Sequence, residues 1–546
     1  MTMRIASTEI GERRSEPRDA HDLDADLMRP EAYPPPCPQV VELRETHVSR
    51  VFMTPGDVFK VKKPVTFGFL DFGTIEARRR ACEAEVTLNT RLAAGTYFGL
   101  VPVRIDGAGR HHFGPEGEVV DWAVHMLRLP DALRADHRLA SGTLTTEHID
   151  SAATFLADFH ARVRSDEKTA AWGTIDAITR NVSENFAEVD AAREGLLTKS
   201  QAREVEGYQL DFLRTRARVF DRRREEGHIR DGHGDLKLDH LYIGEEGGIT
   251  IIDCIEFSER FRCGDVCADI AFLSMDLAAH GHVELAERLL ARYARAADDF
   301  ELYALVDFYE SYRAYVRGKV STLTARQAEG KIRDTALADA RRHFALALSA
   351  GRRSLLEPVV VAVGGVIASG KSTVAEALGD RLSAPVIDSD RTRKRLMGLV
   401  PTEHANSRAF EGPYDIATTE RVYAEMMVRA SIVLESGRPV VLDASFRSED
   451  MRRAARDLAT EHGVPFMMVE CRARPEVCKE RLERRTRETS VSDGRLAIFD
   501  AFCARVEPAS EIADGERLVV DTERPLSETL ASLDERLRTW PKGLNA

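Results

Sequence analysis

The chain lacks several features that would each point to a class of protein. No apolar run in its 546 residues is long enough to span a membrane. The first residues, with Glu9, Glu12, Arg13, Arg14 and Glu16, have no apolar core of the kind a signal peptide needs. The eight cysteines (37, 82, 254, 263, 267, 471, 478 and 503) contain no CxxC pair. Cys263 and Cys267 are spaced to share a helical face, but no second pair completes a four-ligand zinc site, so reduced thiols are expected. Basic charge is not in excess: 77 Lys and Arg stand against 90 Asp and Glu, a net charge of -13. That balance argues against a dedicated nucleic-acid binder while leaving room for a local basic groove. Together these absences predict a cytoplasmic protein with no membrane segment; its oligomeric state stays open.

The chain is too long for a single core, and about 150 residues per domain gives three to four units. Residues 1–25 are polar and read as a disordered leader. The run Tyr33-Pro34-Pro35-Pro36-Cys37-Pro38 is compatible with neither helix nor central strand and reads as a rigid lead-in. Val48–Met53 and Val58–Lys62 are strand candidates around a Pro55-Gly56-Asp57 turn, followed by a helix over Glu76–Leu92 and a strand over Val119–Leu129. Helical periodicity dominates from about Ser151 to Glu226 and again from Cys267 to about Leu348. Beyond a break at Gly351-Arg352-Arg353, strand and helix signals alternate. Val359–Val363, Pro385–Ile387, Val440–Leu442 and Phe466–Glu470 are short apolar runs, the signature of a doubly wound parallel sheet.

Two separate phosphate-handling motifs lie on this frame. The first is His233-Gly234-Asp235-Leu236-Lys237-Leu238-Asp239-His240, followed by Ile251-Ile252-Asp253. Phosphoryl transfer needs a carboxylate to orient or deprotonate the acceptor hydroxyl, metal ligands, and a cation on the nucleotide phosphates. Asp235 suits the base and Asp253 the Mg²⁺ ligand. Lys60 on a strand and Glu85 on the next helix suit the ion pair that fixes a phosphate-binding lysine. Lys62 competes on the same strand face. Lys60, between Phe59 and Val61, is preferred on the ground of burial to Lys62, which abuts Lys63-Pro64. Asp71-Phe72-Gly73 spells a kinase metal motif but precedes the catalytic loop, so it reads as a loop closure in the small lobe.

From about residue 40 to 345 the chain resembles the aminoglycoside phosphotransferase-like branch of the protein-kinase-like fold, on His233-Gly234-Asp235, Ile252-Asp253 with Glu256-Phe257, and Leu156-Ala157-Asp158-Phe159-His160. The resemblance implies a catalytic base at Asp235, a metal ligand at Asp253, a phosphate-binding Lys60, and Asp269 as a carboxylate bracing the catalytic loop. It also implies a metal-ligating Asn five residues after the base. Here that position is His240, which is placed in the metal set although imidazole suits Mg²⁺ poorly; binding a phosphate is its other reading. A polycationic acceptor would need clustered carboxylates, for which Glu256, Glu259, Asp265 and Asp269 are candidates.

The second motif, Gly365-Val366-Ile367-Ala368-Ser369-Gly370-Lys371-Ser372, fits the P-loop pattern between a buried strand and a helix expected over Thr373–Leu378. Backbone amides of the loop, from Gly365, Ser369 and Gly370 to Thr373, would cradle phosphate. Lys371 would reach the β and γ oxygens, and the Ser372 hydroxyl would join the Mg²⁺ shell. Asp443, ending its strand, suits the second metal carboxylate. Asp390 is the candidate base, and Arg393, one helical turn on, the anion-binding acceptor residue. Arg481 and Arg485, spaced i,i+4, suit a pair of lid arginines, or else a solvated face balanced by Glu480, Glu483 and Glu488. Residues 357 to 525 resemble the P-loop kinases that include gluconate kinases, antibiotic phosphotransferases, zeta-type toxins and polynucleotide kinase. The whole chain resembles bacterial aminoglycoside phosphotransferase/ATP-binding fusions.

The expected fold class is therefore a multidomain α/β and α+β protein: a bilobed kinase-like fold followed by a doubly wound P-loop domain. Its parts are a small lobe (26–130), a helical lobe (131–350), a linker (351–357) and a P-loop domain (358–546). The expected activity is ATP- and Mg²⁺-dependent phosphoryl transfer to a hydroxyl of a small molecule, with two nucleotide sites. The alternatives are a P-loop domain as sole kinase, acting on a small molecule, a nucleotide sugar or a nucleic-acid end, beside a kinase-like half that senses nucleotide or recognises substrate.

Overall fold

The structure, a computed structural model, describes residues 22–67, 70–349, 357–400, 403, 412–485 and 494–537. Most of the expected leader and linker, and the side chain of Arg485, lie outside the described residues. The chain forms two compact units, residues 1–133 with 250–259, and residues 134–249 with 260–546.

The first unit is built on an antiparallel sheet. Its strands are β1 (Glu42–Glu45), β2 (Ser49–Met53), β3 (Asp57–Lys62), β4 (Tyr97–Ile105), β5 (His111–His112) and β6 (Glu118–Leu127), in the order β1-β2-β3-β6-β4-β5. The β2–β3 hairpin turns at the expected Pro-Gly-Asp, and the long strand β4, whose interior Gly99 and Pro102 argue against a strand, is an addition to the expected set. Helix α1 (Ile75–Asn89) begins at Thr74, whose hydroxyl accepts from the Ala77 amide, and ends three residues before the expected Leu92. Phe52, Phe59, Val61, Val103 and Ala123 fill one face of the sheet. The Asp71-Phe72-Gly73 segment does close a loop: Asp71 accepts from the Gly73 amide at 2.9 Å, and Phe72 is buried.

The second unit begins with a helical region. Its main helices are α2 (Thr146–Arg162), α3 (Val266–Ala279), α4 (Val283–Ala297), α5 (Val306–Gln327) and α6 (Gly330–Ser349). α3 is apolar nearly all round, with twelve of its fourteen residues buried, as befits a central helix. Cys263 and Cys267 do not share a helical face, because Cys263 belongs to the short strand Cys263–Asp265 that precedes α3.

The same unit continues into a five-stranded parallel sheet of β7 (Val360–Gly364), β8 (Val386–Asp388), β9 (Val440–Asp443), β10 (Phe466–Arg472) and β11 (Arg517–Asp521), ordered β8-β9-β7-β10-β11. Its helices include α7 (Lys371–Leu382), α8 (Ser389–Leu396), α9 (Ile416–Glu435) and α10 (Pro475–Arg485). α7 starts at Lys371, two residues before the expected Thr373, because Gly370 in a left-handed conformation ends the loop there. Val361, Val363, Val374, Leu378, Val441 and Val469 form the core. Arginines tie the helical region to the sheet domain: Arg438 pairs with Glu287 (2.7 Å) and Asp307 (2.9 Å), and Arg429 with Asp298 (2.7 Å).

Candidate phosphotransfer sites

In the first unit Lys60 and Lys62 point from β3 towards Glu85 on α1. Lys60 Nζ lies 2.9 Å from Glu85 and 2.6 Å from Asp253. Lys62 pairs with Glu85 and Glu256. The burial argument for Lys60 is reversed: the Lys62 side chain is 1% exposed and that of Lys60 15%. The apolar neighbours Phe59 and Val61 project to the other face of the strand, so flanking residues say little about the lysines' own depth. Burial opposes the charge on Lys60, but Asp253, Glu85 and Glu256 outweigh it and hold its pKa well above the ordinary value. Asp253 adopts a left-handed backbone (φ 64°), which Asp tolerates better than most residues. The loop is pinned by Asn89, whose side-chain carbonyl accepts from the Cys254 amide at 2.9 Å while its amide group donates to the Glu85 carbonyl.

In the second unit the His-Gly-Asp loop hangs from α3. Asp269 accepts from the amides of His233 (2.7 Å) and Gly234 (2.9 Å), and Asp276 from that of Leu238 (2.9 Å). Behind it, buried His160 lies 3.5 Å from Asp269 and hydrogen-bonds Tyr293 at 2.8 Å. Burial pushes the Asp269 carboxyl up, but its bonds and charge interactions with His160 and His233 prevail and leave it well below the usual carboxylate range. Asp235 is likewise held down to about 2: burial opposes ionisation and is outweighed by Lys237, His240, Arg317 and His233. His240 Nδ1 contacts the Asp235 carbonyl at 2.9 Å, which orients the ring and turns Nε2 away from that bond. Three of the four carboxylates of the expected acidic cluster are taken up within the fold. Asp265 forms a bidentate pair with Arg223, Asp269 holds the loop, and Glu256 holds Lys62.

The P-loop lies at the C-terminal edge of β7, where a parallel sheet presents its ligand crevice. Gly365 has φ 151°, and a Cβ there would stand 2.5 Å from Ser369 Oγ and 2.6 Å from the Cys471 carbonyl. Gly370 (φ 87°) backs onto Thr522. The pattern thus needs glycine at both ends for space as well as for conformation.

Asp443 on β9 senses Lys371 and the Ser372 hydroxyl. Burial raises its pKa, those two groups oppose the rise, and Asp390 adds to it. Its Oδ1 is buried without a hydrogen-bond partner, so this hard oxygen donor beside a hydroxyl fits a divalent cation. Among the described residues no three His, Cys, Asp or Glu side chains form a metal cage by themselves, so phosphate oxygens and water would have to complete the shell.

Arg393 is buried, donates to the Pro413 carbonyl at 2.5 Å and stacks over Tyr414. Arg481 donates to the carbonyls of Ala368 (3.3 Å) and Thr522 (2.6 Å), bracing the loop. Two contributors were not foreseen. Thr522 donates from its hydroxyl to the Ser369 carbonyl at 2.5 Å. Asp388 caps α8 by accepting from the Arg391 amide at 2.7 Å, and burial, with Asp443 beside it, pushes its carboxyl up to about 6 against the pull of Arg295 and Arg391. The Asp-x-Asp spacing of Asp388 and Asp390 was the available signal for the latter; nothing local marks Thr522.

A model of the phosphotransferase enzyme family matches residues 76–309, and one described as an AAA domain matches residues 360–509. Over 475 residues the chain is 33% identical to the uncharacterised protein Rv2004c of Mycobacterium tuberculosis, spanning 87% of this chain and 92% of that one. The chain belongs to this two-domain family. It is a fusion of an aminoglycoside phosphotransferase-like domain with a P-loop kinase-like domain. The same figures hold for Mb2027c of Mycobacterium bovis. Among solved structures, a GDP complex of aminoglycoside 2′-phosphotransferase-IIIa is 16% identical, covering 59% of the fusion and 98% of that chain, with a TM-score of 0.37. A gluconokinase from Sinorhizobium meliloti 1021 is 23% identical, covering 35% and 99%, with a TM-score of 0.24. The two family models mark both halves of the fusion as kinase-like domains. Among the described residues no helix is long and apolar enough to cross a membrane.

Proposed function

We propose that the fusion is an ATP- and Mg²⁺-dependent phosphotransferase whose P-loop domain moves the γ-phosphoryl group of ATP to a hydroxyl of a small molecule. The observation that carries this reading is the grouping of Lys371, Ser372 and Asp443 at the sheet edge, with Asp443 Oδ1 buried and without a hydrogen-bond partner. Ser372 and Asp443 would hold Mg²⁺, which when bound neutralises charge on the phosphates. Lys371 and the loop amides bind the β and γ oxygens, and the glycines let the backbone approach them. Asp390 receives the acceptor proton as the acceptor oxygen bonds to the γ-phosphorus and the bond to the β-phosphate oxygen breaks, releasing ADP. Arg393 stands one turn from Asp390 and gives the acceptor side a cation for an anionic substrate. Arg481 steadies the loop, and Arg485 on the same helix is the remaining lid candidate.

In the kinase-like half, Asp235 takes the role of base and His240, on the same loop of the second unit, that of a metal residue; in the first unit Lys60 with Glu85 takes the role of the phosphate clamp and Asp253 that of a metal ligand. A second reading, in which this half binds nucleotide as a sensor, is favoured by the 2.6 Å Lys60–Asp253 pair and by imidazole at position 240. Labelled ATP incubated with a metabolite extract separates the readings. Lys371→Ala is expected to abolish one labelled product, and Asp235→Asn a different one if both halves catalyse. Full labelling by Lys371→Ala would refute the P-loop assignment.

A further inference from the structure

Helix α4 of the kinase-like half carries Arg288, Arg292 and Arg295 along one face, at i, i+4 and i+7. That face meets α7, the helix that follows the P-loop. Arg288 reaches Asp380 at 2.6 Å and Asp150 at 2.7 Å; Arg292 reaches Glu376 and Asp380, each at 2.6 Å; Arg295 pairs with Glu376. For Arg288 and Arg292 these contacts join helix to helix and end there.

Arg295 goes further. Its other amino group stands 3.7 Å from Asp388 Oδ2, an oxygen that is buried with no hydrogen-bond partner. Asp388 and Asp443 are register partners on β8 and β9, so two buried carboxylates stand side by side at the edge that faces the phosphates. Like charges in that setting repel strongly unless cations are at hand; Arg391 on α8 stands 3.4 Å from the same Asp388 oxygen, and half-buried Arg295 is a second cation, brought there from outside the P-loop domain. Its Nε has no hydrogen-bond partner either, which keeps the guanidinium from being fully used by the helix contact.

Resting on the functional reading above, we propose that Arg295 is a positioning residue of the P-loop site: clamped to Glu376, it holds Asp388 and thereby the β8–β9 edge on which Asp443 and Asp390 are aimed. The kinase-like half therefore completes the catalytic edge of its neighbour in the same chain. This gives the fusion a chemical reason that needs no activity at the first site.

The test uses the full chain and the transfer that Lys371→Ala abolishes. Arg295→Met is expected to lower kcat by about 10–100-fold with a much smaller change in KM for ATP, the range seen when a group that orients a ligand is removed. Arg295→Lys, which keeps the charge, recovers part of that rate. Arg288→Met loses as many ion pairs yet stays within about threefold of wild type, since its partners do not touch the catalytic edge. Asp388→Asn lowers kcat by the same route, so the double variant Arg295→Met/Asp388→Asn is little worse than either single one. Melting temperatures are read alongside. A wild-type kcat in Arg295→Met, an equal loss in Arg288→Met, or fully additive losses in the double variant each overturn the inference and leave the functional reading standing. Transfer that survives Lys371→Ala overturns the reading itself, and this inference with it.

Discussion

The carboxylate of Asp269 accepts the backbone N–H of His233 at 2.7 Å, and its second oxygen accepts that of Gly234 at 2.9 Å. One buried side chain thus shapes the loop that carries Asp235, and does so only as an anion with both oxygens accepting. Asp269→Asn turns one acceptor into a donor facing an N–H, at a cost of about 1–3 kcal/mol. The native carboxyl titrates below its unfolded value of 3.8, so its contribution is complete above that pH and is lost as pH falls through the lower folded pKa. The melting-temperature gap between wild type and Asp269→Asn should be full at pH 7 and shrink below pH 3.8. An unchanged gap would show that the charge is not what matters.

Lys60 and Lys62 share Glu85 but differ in depth. Lys62→Met leaves Glu256 without its buried cation and Glu85 with Lys60 alone, a loss of about 3–5 kcal/mol. Lys60→Met, at the more open position beside Asp253, should keep the fold and lose nucleotide binding at the first site. Thermal shift and fluorescent-nucleotide binding, measured with the P-loop disabled by Lys371→Ala, distinguish the two lysines. Strong destabilisation by Lys60→Met instead would make it the structural one.

Thr522 bonds the P-loop from the following strand end. Thr522→Val keeps the shape and removes the bond to the Ser369 carbonyl, worth about 1 kcal/mol, so KM for ATP should rise several-fold with the fold intact. Identical kinetics for Thr522→Val would mean that the loop holds its form without this strut.

Glu310 on α5 is half-buried, and its desolvation pushes its carboxyl up to about 8, with Ser274 bonded to it. Because the folded value lies above the unfolded 4.5, folding favours the protonated form; stability is greatest below pH 4.5 and falls as pH rises through 8. Glu310→Gln mimics the neutral acid, so its melting temperature should equal or exceed that of wild type at pH 9 and differ little at pH 5. A variant that is worse at pH 9 would mean that Glu310 is held as a carboxylate.

Local signals were enough for the strand–loop–helix around Lys371, for the β2–β3 hairpin, and for the four strands whose apolar runs stand between turn residues. Strand β11 was missed although Leu518-Val519-Val520 is an apolar run, because it is short, lies at the sheet edge and is partly exposed. The burial ground for preferring Lys60 to Lys62 is overturned because neighbours in a strand face opposite ways, so depth is set by what packs across the sheet.

The sequence by itself determined the two phosphate-binding motifs and their chain order, since glycine spacing and short-range carboxylate pattern encode backbone shape directly. Only the tertiary structure decided which groups stand around them. Thr522 reaches back to a carbonyl 153 residues away, Asp276 to the amide of Leu238, 38 residues away, and Arg295 to a carboxylate in the other half of the fusion. Such contacts depend on how helices and strands pack, and no local pattern in the chain records them.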